Sequence, residues 1–430
     1  MLETLRNAFK IKDLRKRIGF TFLMLIVVRI GSQLPIPGVD PDVFSQLFAN
    51  NGDALNFFDA ITGGSFENMS IFALNITPYI TSSIIIQLLT IAFPKLEEMQ
   101  RDGEQGRKKI TQITRYVTVG LAIIQSVAMA IGFGRSGYLT EFNALYVIMT
   151  VAALTAGSSV LMWIGERITE KGIGNGISIV LVINILSRIP SDLTSLFEQF
   201  ISGKTIAKGT LAGVIIAAII VAMVVLVVFL QGAERRIPVQ YSKKIQGKRQ
   251  VGGANSVIPM KVNTAGVIPV IFAQSLLQTP VIICTLLGKT GGTSFWYKIL
   301  RGMSQSNWFD PDNWIYTIGA VVYVLLIIGF AYFYTSITFN PLEIGGSIPG
   351  IRSGKPTSDY LQAVLNNIIF IGAIGLSIVA IIPIVFNGLF GANVSFGGTS
   401  IIIIVGVVIE TLKQVESQML VRNYKGFLND

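Results

Sequence analysis

The chain has 430 residues, of which 51% are apolar and only 13% charged, and its mean hydropathy is +0.62. That composition excludes the two or three soluble domains that length alone would suggest. A formal net charge of +10 fits affinity for nucleic acid or lipid, yet much of it clusters beside apolar runs, where it also sets topology. Histidine is absent and Cys284 is the one cysteine, which removes internal disulfides, Cys metal clusters and any Ser/His/Asp set. No GxxxxGK[ST] phosphate loop occurs either. Ionisable side chains are nearly absent from the apolar runs, with Arg29 and Glu410 standing clearly inside one, too few for an ion-coupled pump.

In chain order, residues 1–17 form a basic amphipathic arm without a cleavage-site pattern, expected to be cytoplasmic. Ten runs are long enough to cross the hydrocarbon core: 18–36, 73–92, 111–133, 144–166, 176–196, 209–231, 265–288, 313–338, 360–386 and 399–414. An even number places both ends of the chain on one side. That side carries 26 Lys and Arg against 7 on the other, so both termini are expected in the cytoplasm. The stretch from Leu34 to Ser70 has no Lys or Arg but contains Asp40, Asp42, Asp53, Asp59 and Glu67, and is expected outside. Within it, about 55–68, lies an apolar piece too short to cross that carries the pair Gly63-Gly64 and reads as re-entrant or interfacial.

Ile76-Thr77-Pro78-Tyr79-Ile80 opens the second span and Val267-Ile268-Pro269-Val270-Ile271 the seventh. With five spans per half, equivalent spans run in opposite directions, as in an inverted repeat with its path between the halves. Uncharged polar residues interrupt spans two, three and seven: Thr81, Ser82, Ser83 and Gln87, then Gln125 and Ser126, then Gln274, Ser275 and Gln278. They suit interhelical hydrogen bonds of about 0.6 kcal/mol each, or helix pairs that separate when a substrate enters. Arg29 suits snorkelling or pairing with a neighbouring helix, or contact with a substrate or lipid phosphate. Glu410 suits an interfacial carboxylate. Gly172-Ile173-Gly174-Asn175-Gly176 reads as a turn opening the fifth span.

The loop 232–264 contains Arg235, Arg236, Lys243, Lys244, Lys248 and Arg249, more positive charge than orientation requires. Ribosomal RNA, an acidic protein and lipid head groups are all matched targets for such a loop.

Ser70-Ile71-Phe72-Ala73 and the run from Ile76 to Leu89 resemble the second span of the SecY family, central subunits of the bacterial Sec protein translocation channel. Further matches are Leu161-Met162-Trp163-Ile164-Gly165-Glu166, Gly172 to Ile179, Arg235-Arg236, Ala265 to Pro269, Phe339-Asn340-Pro341, Ile348-Pro349-Gly350-Ile351-Arg352 and Phe396 to Ser400. They follow in order along essentially the whole chain.

The resemblance implies an all-α membrane protein of ten transmembrane helices in two pseudo-symmetric inverted halves, opening to lipid between spans two and seven. Its domains would be the arm 1–17, the N-terminal half 18–196 with a plug at about 55–68, an external loop with span six at 197–231, the basic loop 232–264, spans seven to ten at 265–414 and a tail 415–430. The plug would include Phe57, Phe58, Ile61, Gly63, Gly64 and Phe66. Ile76, Ile80, Ile177, Leu181, Ile271 and Ile403 would form an apolar pore ring, with Leu181 where the family often has isoleucine. Thr81, Ser83, Gln87, Gln125, Gln274, Ser275 and Gln278 would line the lateral gate. Arg235, Arg236, Lys243, Lys244, Lys248, Arg249 and Arg352 would meet the ribosome or the motor ATPase SecA.

SecE is the implied obligatory partner and SecG a peripheral one, with signal peptides and unfolded polypeptides as substrates, in the bacterial plasma membrane. No cofactor and no catalytic activity are implied. The chain departs from the family at Gly345-Gly346-Ser347, which stands where a longer basic loop tip is usual, and at Ser353, where proline is usual. The shortening puts coupling to SecA or the ribosome in question. A secondary transporter for a small solute is the alternative that an inverted repeat alone would permit, and the scarcity of ionisable residues in the spans disfavours it. A membrane-embedded enzyme has no evident chemistry without histidine or paired carboxylates.

Overall fold

The computed structural model describes residues 6, 9–39, 59, 62–135, 142–202, 206–240, 244–246, 249–251, 255–286, 295–309, 314–338, 348–352, 354–390 and 398–426. Ten helices fall on the ten expected spans: α1 (Lys12–Gly31), α2 (Thr77–Ala92), α4 (Gly103–Arg135), α5 (Ala144–Lys171), α6 (Gly176–Phe200), α7 (Ile206–Gly232), α8 (Ile268–Leu286), α10 (Ile318–Thr338), α11 (Lys355–Phe390) and α12 (Gly398–Gly426). Two shorter ones, α3 (Pro94–Arg101) and α9 (Phe295–Met303), lie between spans. Seven of the ten, α4 to α7 and α10 to α12, are long and apolar enough to cross a membrane by themselves. The others depart for local reasons. Lys12, Asp13, Arg15, Lys16 and Arg17 open α1, and α2 breaks before Pro94.

Helix ends follow local chemistry. At Pro94 the missing N–H and the ring push Phe93 into the extended region (φ −116°, ψ 111°), and the chain turns through 106° into α3. The expected glycine turn before the fifth span is present: Gly174 has φ +77°, and the Asn175 side chain accepts from the backbone N–H of Ile177 and of Ser178. That cap satisfies two donors the first turn leaves open.

Some helices are shorter than their expected runs, α1 ending at Gly31 and α2 starting at Thr77, and others continue beyond the apolar run. The last span and the expected tail are one helix to Gly426, and the end of the basic arm is the first turn of α1. These extensions meet: Leu14, Ile173 and Val415 share a small core with Ile11, Ile18 and Met419.

Beside the helices stands a β-ribbon that the helical reading did not contain. The loop expected at 232–264 pairs β1 (Glu234–Gln240) antiparallel with β4 (Asn255–Lys261), Glu234 facing Lys261 and Ile237 facing Ile258, and a second pair joins β2 (Lys244–Gln246) to β3 (Arg249–Val251). Ile237 and Met260 lie buried against Ala331 of α10 and Leu361 and Leu365 of α11. Packing on one face, which an isolated hairpin lacks, anchors the ribbon.

Each half has its own core. In the first, Met129, Phe133 and Leu154 pack with Phe66, Met69 and Leu74. In the second, Val227, Val270, Tyr323, Ile327 and Val379 pack together. The halves touch where α6 meets α12 and α7, and where α8 meets α4.

Candidate functional site

The contact between halves is apolar. Leu181, Val182 and Ile185 of α6 and Ile403 of α12 form one buried cluster, against which pack Ile80 of α2, Ile271 of α8, Val267 just before it, and Ile404 and Val407 of α12. Four of the six ring candidates, Ile80, Leu181, Ile271 and Ile403, thus come together from four helices. Leu181 is 7% and Ile403 6% exposed. Ile76 and Ile177, one helical turn from Ile80 and Leu181, sit in the adjoining cluster with Val28, Phe72 and Leu161, and Ile80 belongs to both. A closure of this kind holds no charge and excludes water by shape.

Backbone contact positions the α6 side. A Cβ on Gly176 would stand 1.9 Å from the Gly165 carbonyl oxygen, and one on Gly165 would stand 2.6 Å from Ile177 Cδ1. Only hydrogen fits where α5 and α6 cross, as in membrane helix pairs built on small residues.

Over the ring, at the end of the bundle opposite the termini, lies the non-helical stretch 63–76. Its backbone groups pair within the stretch and with neighbouring elements: Gly63 N–H donates to Asp59 O (2.7 Å), Ser70 N–H to Ser65 O (2.9 Å) and Ile71 N–H to Leu34 O (3.0 Å). Ser70 also bridges Pro35. Of the plug candidates, Gly63 is buried with φ +68°, Gly64 is half-buried with φ +83°, and Phe66 packs on Phe133 with ring centroids 6.4 Å apart. Phe57, Phe58 and Ile61 lie outside the described residues.

Charges that the sequence reading passed over hold this stretch. Arg188 and Asp192, in the half of α6 away from the ring, correct the expectation that Arg29 and Glu410 alone stand clearly inside a span. Arg188 Nη1 pairs with both Asp59 and Glu67, and the Glu67 N–H donates to Asp59 Oδ1 at 2.9 Å. Arg29 Nη1 donates to the Gly63 carbonyl at 3.1 Å, so its partner among the described residues is the stretch over the ring. Asp59 is 0% exposed. Burial raises its carboxyl to about 6, against the opposing pull of Arg188 and of the Glu67 amide. Missed with them was Asn75, whose φ of +52° ends the stretch: its Oδ1 accepts from Asn184 Nδ2 (3.1 Å) and its carbonyl from Ser158 Oγ (3.1 Å). An acidic loop facing an Arg and Asn pair one and two turns along an apolar helix was the available signal.

The gate candidates are scattered. Thr81 bonds its own helix at Thr77 O, Gln87 is exposed, and Ser83 and Gln125 are half-buried. Gln274 is 3% exposed and donates to Gln305 Oε1 at 3.2 Å, within the second half. Ser275 is exposed and the Gln278 side chain is not described. Polar contact between spans two and three is carried by Ser82, bonded to Thr118 Oγ1 and Thr114 O, and between three and four by Ser126 and Thr155 (3.2 Å) and by the ion pair of Arg115 and Glu166 (2.7 Å).

On the face of the termini, Arg235, Arg236 and Arg352 are exposed, Arg236 pairing with Glu234 at 2.8 Å. Lys244 and Arg249 hold strand positions, while Lys243, Lys248 and Gly345-Gly346-Ser347 lie outside the described residues. Glu410 is exposed on α12. Among the described residues no group of acidic and Cys side chains could hold a metal ion.

A protein translocase subunit SecY from Streptomyces galbus is 44% identical over 451 residues, covering 100% of both chains. A solved structure described as showing that the plug domain of the SecY protein stabilises the closed state of the translocation channel and maintains a membrane seal aligns with a TM-score of 0.63 at 18% identity, over 94% of this chain and 92% of that one. Sec61 in the canine ribosome-channel complex aligns with a TM-score of 0.58 at 17% identity, over the same shares. The SecY family model matches residues 70–412, and with that span and that identity the chain belongs to the SecY family.

Proposed function

We propose that the chain is the channel-forming subunit through which unfolded polypeptides cross the membrane, and from which apolar segments leave sideways into lipid between α2 and α8. The observation that carries this reading is the junction of Ile80, Leu181, Ile271 and Ile403 from both halves. An apolar waist held by dispersion alone can part for a chain of any sequence and close behind it. The stretch at about 55–68, of which Asp59 and residues 62–68 are described, acts as the plug. The excess of Lys and Arg on the face of the termini supports both termini in the cytoplasm of a bacterium, with the channel in its plasma membrane. A signal-bearing peptide with a photoreactive side chain, stalled in the reconstituted channel, is expected to crosslink to Ser83 of α2 and Ser275 of α8. Adducts confined to α7 and α10 would reject the lateral exit.

Energy comes from partners: SecA or the ribosome on the ribbon face, SecE bracing the two halves and SecG at the periphery. The ribosome is supported as a partner by the ribosome-bound Sec61 likeness, with ribosomal RNA as one matched surface for Arg235, Arg236 and Arg352. Reversing R235E and R236E together is expected to weaken SecA or ribosome binding roughly tenfold at low salt, with the deficit shrinking as salt rises. Sedimentation binding at two ionic strengths measures it. Unchanged binding at low salt would return the ribbon to topology and lipid contact.

Gly345-Gly346-Ser347 supplies neither charge nor a stiff tip. Replacing it by a longer basic segment is expected to raise SecA-driven, ATP-dependent translocation in proteoliposomes and to leave thermal stability unchanged, since a surface loop buries little apolar area. Equal rates would make the tip dispensable.

A further inference from the structure

The charged cluster beneath the acidic loop is unequal in composition. Asp59 and Glu67 come from the stretch over the ring, Asp192 and Arg188 from α6, and Arg29 from α1. Three carboxylates thus face the one guanidinium of Arg188, while Arg29 meets the Gly63 carbonyl, and Asp59 is wholly withdrawn from solvent. An excess negative charge in a dehydrated site costs free energy, which a proton relieves.

We propose that Arg188 is the positioning residue that docks Asp59 and residues 62–67 over the ring, and that protons on that face tighten the docking by neutralising Asp59. The proposal rests on the reading of this stretch as the plug only for its consequence, the seal. Its sign is opposite to that of an ordinary exposed ion pair, which acid weakens. Here Arg188 keeps Glu67 when Asp59 is neutral, and the penalty of burying a second carboxylate disappears. The Asp59 carboxyl lies at about 6 when docked against an ordinary 3.8. The docked form therefore holds a proton that the released form gives up. Docking gains this contribution in full below the ordinary value and loses it as pH rises through about 6. The docked-to-released ratio is expected to change by roughly a hundredfold across that window.

Docking is read directly by a thiol placed in the stretch. Ser65 is buried, so S65C, in a C284S background of the reconstituted full chain, should react with a membrane-impermeant maleimide only when Asp59 and residues 62–67 are released. Dividing its rate by that of N68C, at an exposed position, removes the pH dependence of thiol ionisation. The normalised rate is expected to fall at least tenfold between pH 7.5 and 5. D59N, a neutral isostere that keeps the acceptor for the Glu67 N–H, should give the slow rate at both pH values. R188Q should react at least tenfold faster than the parent at pH 7.5.

A flat pH profile in the parent, an undiminished slope in D59N, or an R188Q rate equal to that of the parent would each overturn the proposal. If R188Q does not accumulate, the pH series and D59N decide it alone. Ion leak measured in the same vesicles separates the two readings: leak that tracks labelling supports the seal, whereas pH-dependent labelling with constant leak upholds the docking chemistry and removes the plug role.

Discussion

Ile403→Asn is expected to open the waist. Ile403 is 6% exposed and packs with Leu181, Val182 and Ile185 across the line between halves. An amide there finds no partner in an apolar cluster, and leaving a buried polar group unpaired costs about 1–3 kcal/mol, so the closed form should lose roughly tenfold or more in population. Hydration of the constriction then raises ion leak and lets substrates with weak signals through. Single-channel recordings and translocation of a signal-weakened substrate measure both effects, with Ile403→Leu as the volume-conserving control. Because Ile271 approaches the same cluster from α8, Ile271→Asn should act in the same direction. Parent-like conductance and signal selectivity in both Asn variants would remove these side chains from the ring.

The crossing of α5 and α6 should tolerate substitution poorly. At Gly176 even a methyl group meets the Gly165 carbonyl oxygen at 1.9 Å and Ile168 Cβ at 2.7 Å. Gly176→Ala forces the helices apart, at an expected cost of about 1–3 kcal/mol, and Gly176→Val costs more. Ile177 and Leu181 ride on the same helix, so the separation also displaces two of the six ring candidates. Gly120, where a methyl group would meet nothing within 4 Å, is the control: Gly120→Ala should be neutral or gain up to about 1 kcal/mol from helix propensity. Thermal unfolding of the detergent-solubilised protein compares them, and equal midpoints for the alanine variants at 120 and 176 would contradict the close crossing.

The ten spans were legible because the bilayer enforces a length of apolar chain that few other contexts do. Boundaries moved both ways: α1 stops at Gly31 and α2 starts at Thr77, inside the expected runs, while α11 begins at Lys355 and α12 continues to Gly426, since helix formation depends on backbone bonding and not on the apolar run. The ribbon at 234–261 was obscured by its charges. Alternate burial of Ile237 and Val239 is a strand period, but Arg235, Arg236 and Pro238 mask it in a loop that reads first as topology.

Composition by itself determined that this is a multi-span membrane protein without histidine chemistry. The ordered motifs placed it in its family, since both are properties of residues taken along the chain. Which side chains meet was decided only by the tertiary structure. Ile80 and Ile403 are more than three hundred positions apart in sequence, and nothing in an isoleucine distinguishes a lipid-facing one from one at a waist. Gln274 has the composition of a gate residue, yet it pairs with Gln305 inside its own half. Arg188 lay unnoticed in an apolar helix because its partners, Asp59 and Glu67, lie more than a hundred residues away. A charge in a span is explained by what it faces, and the face is set by packing.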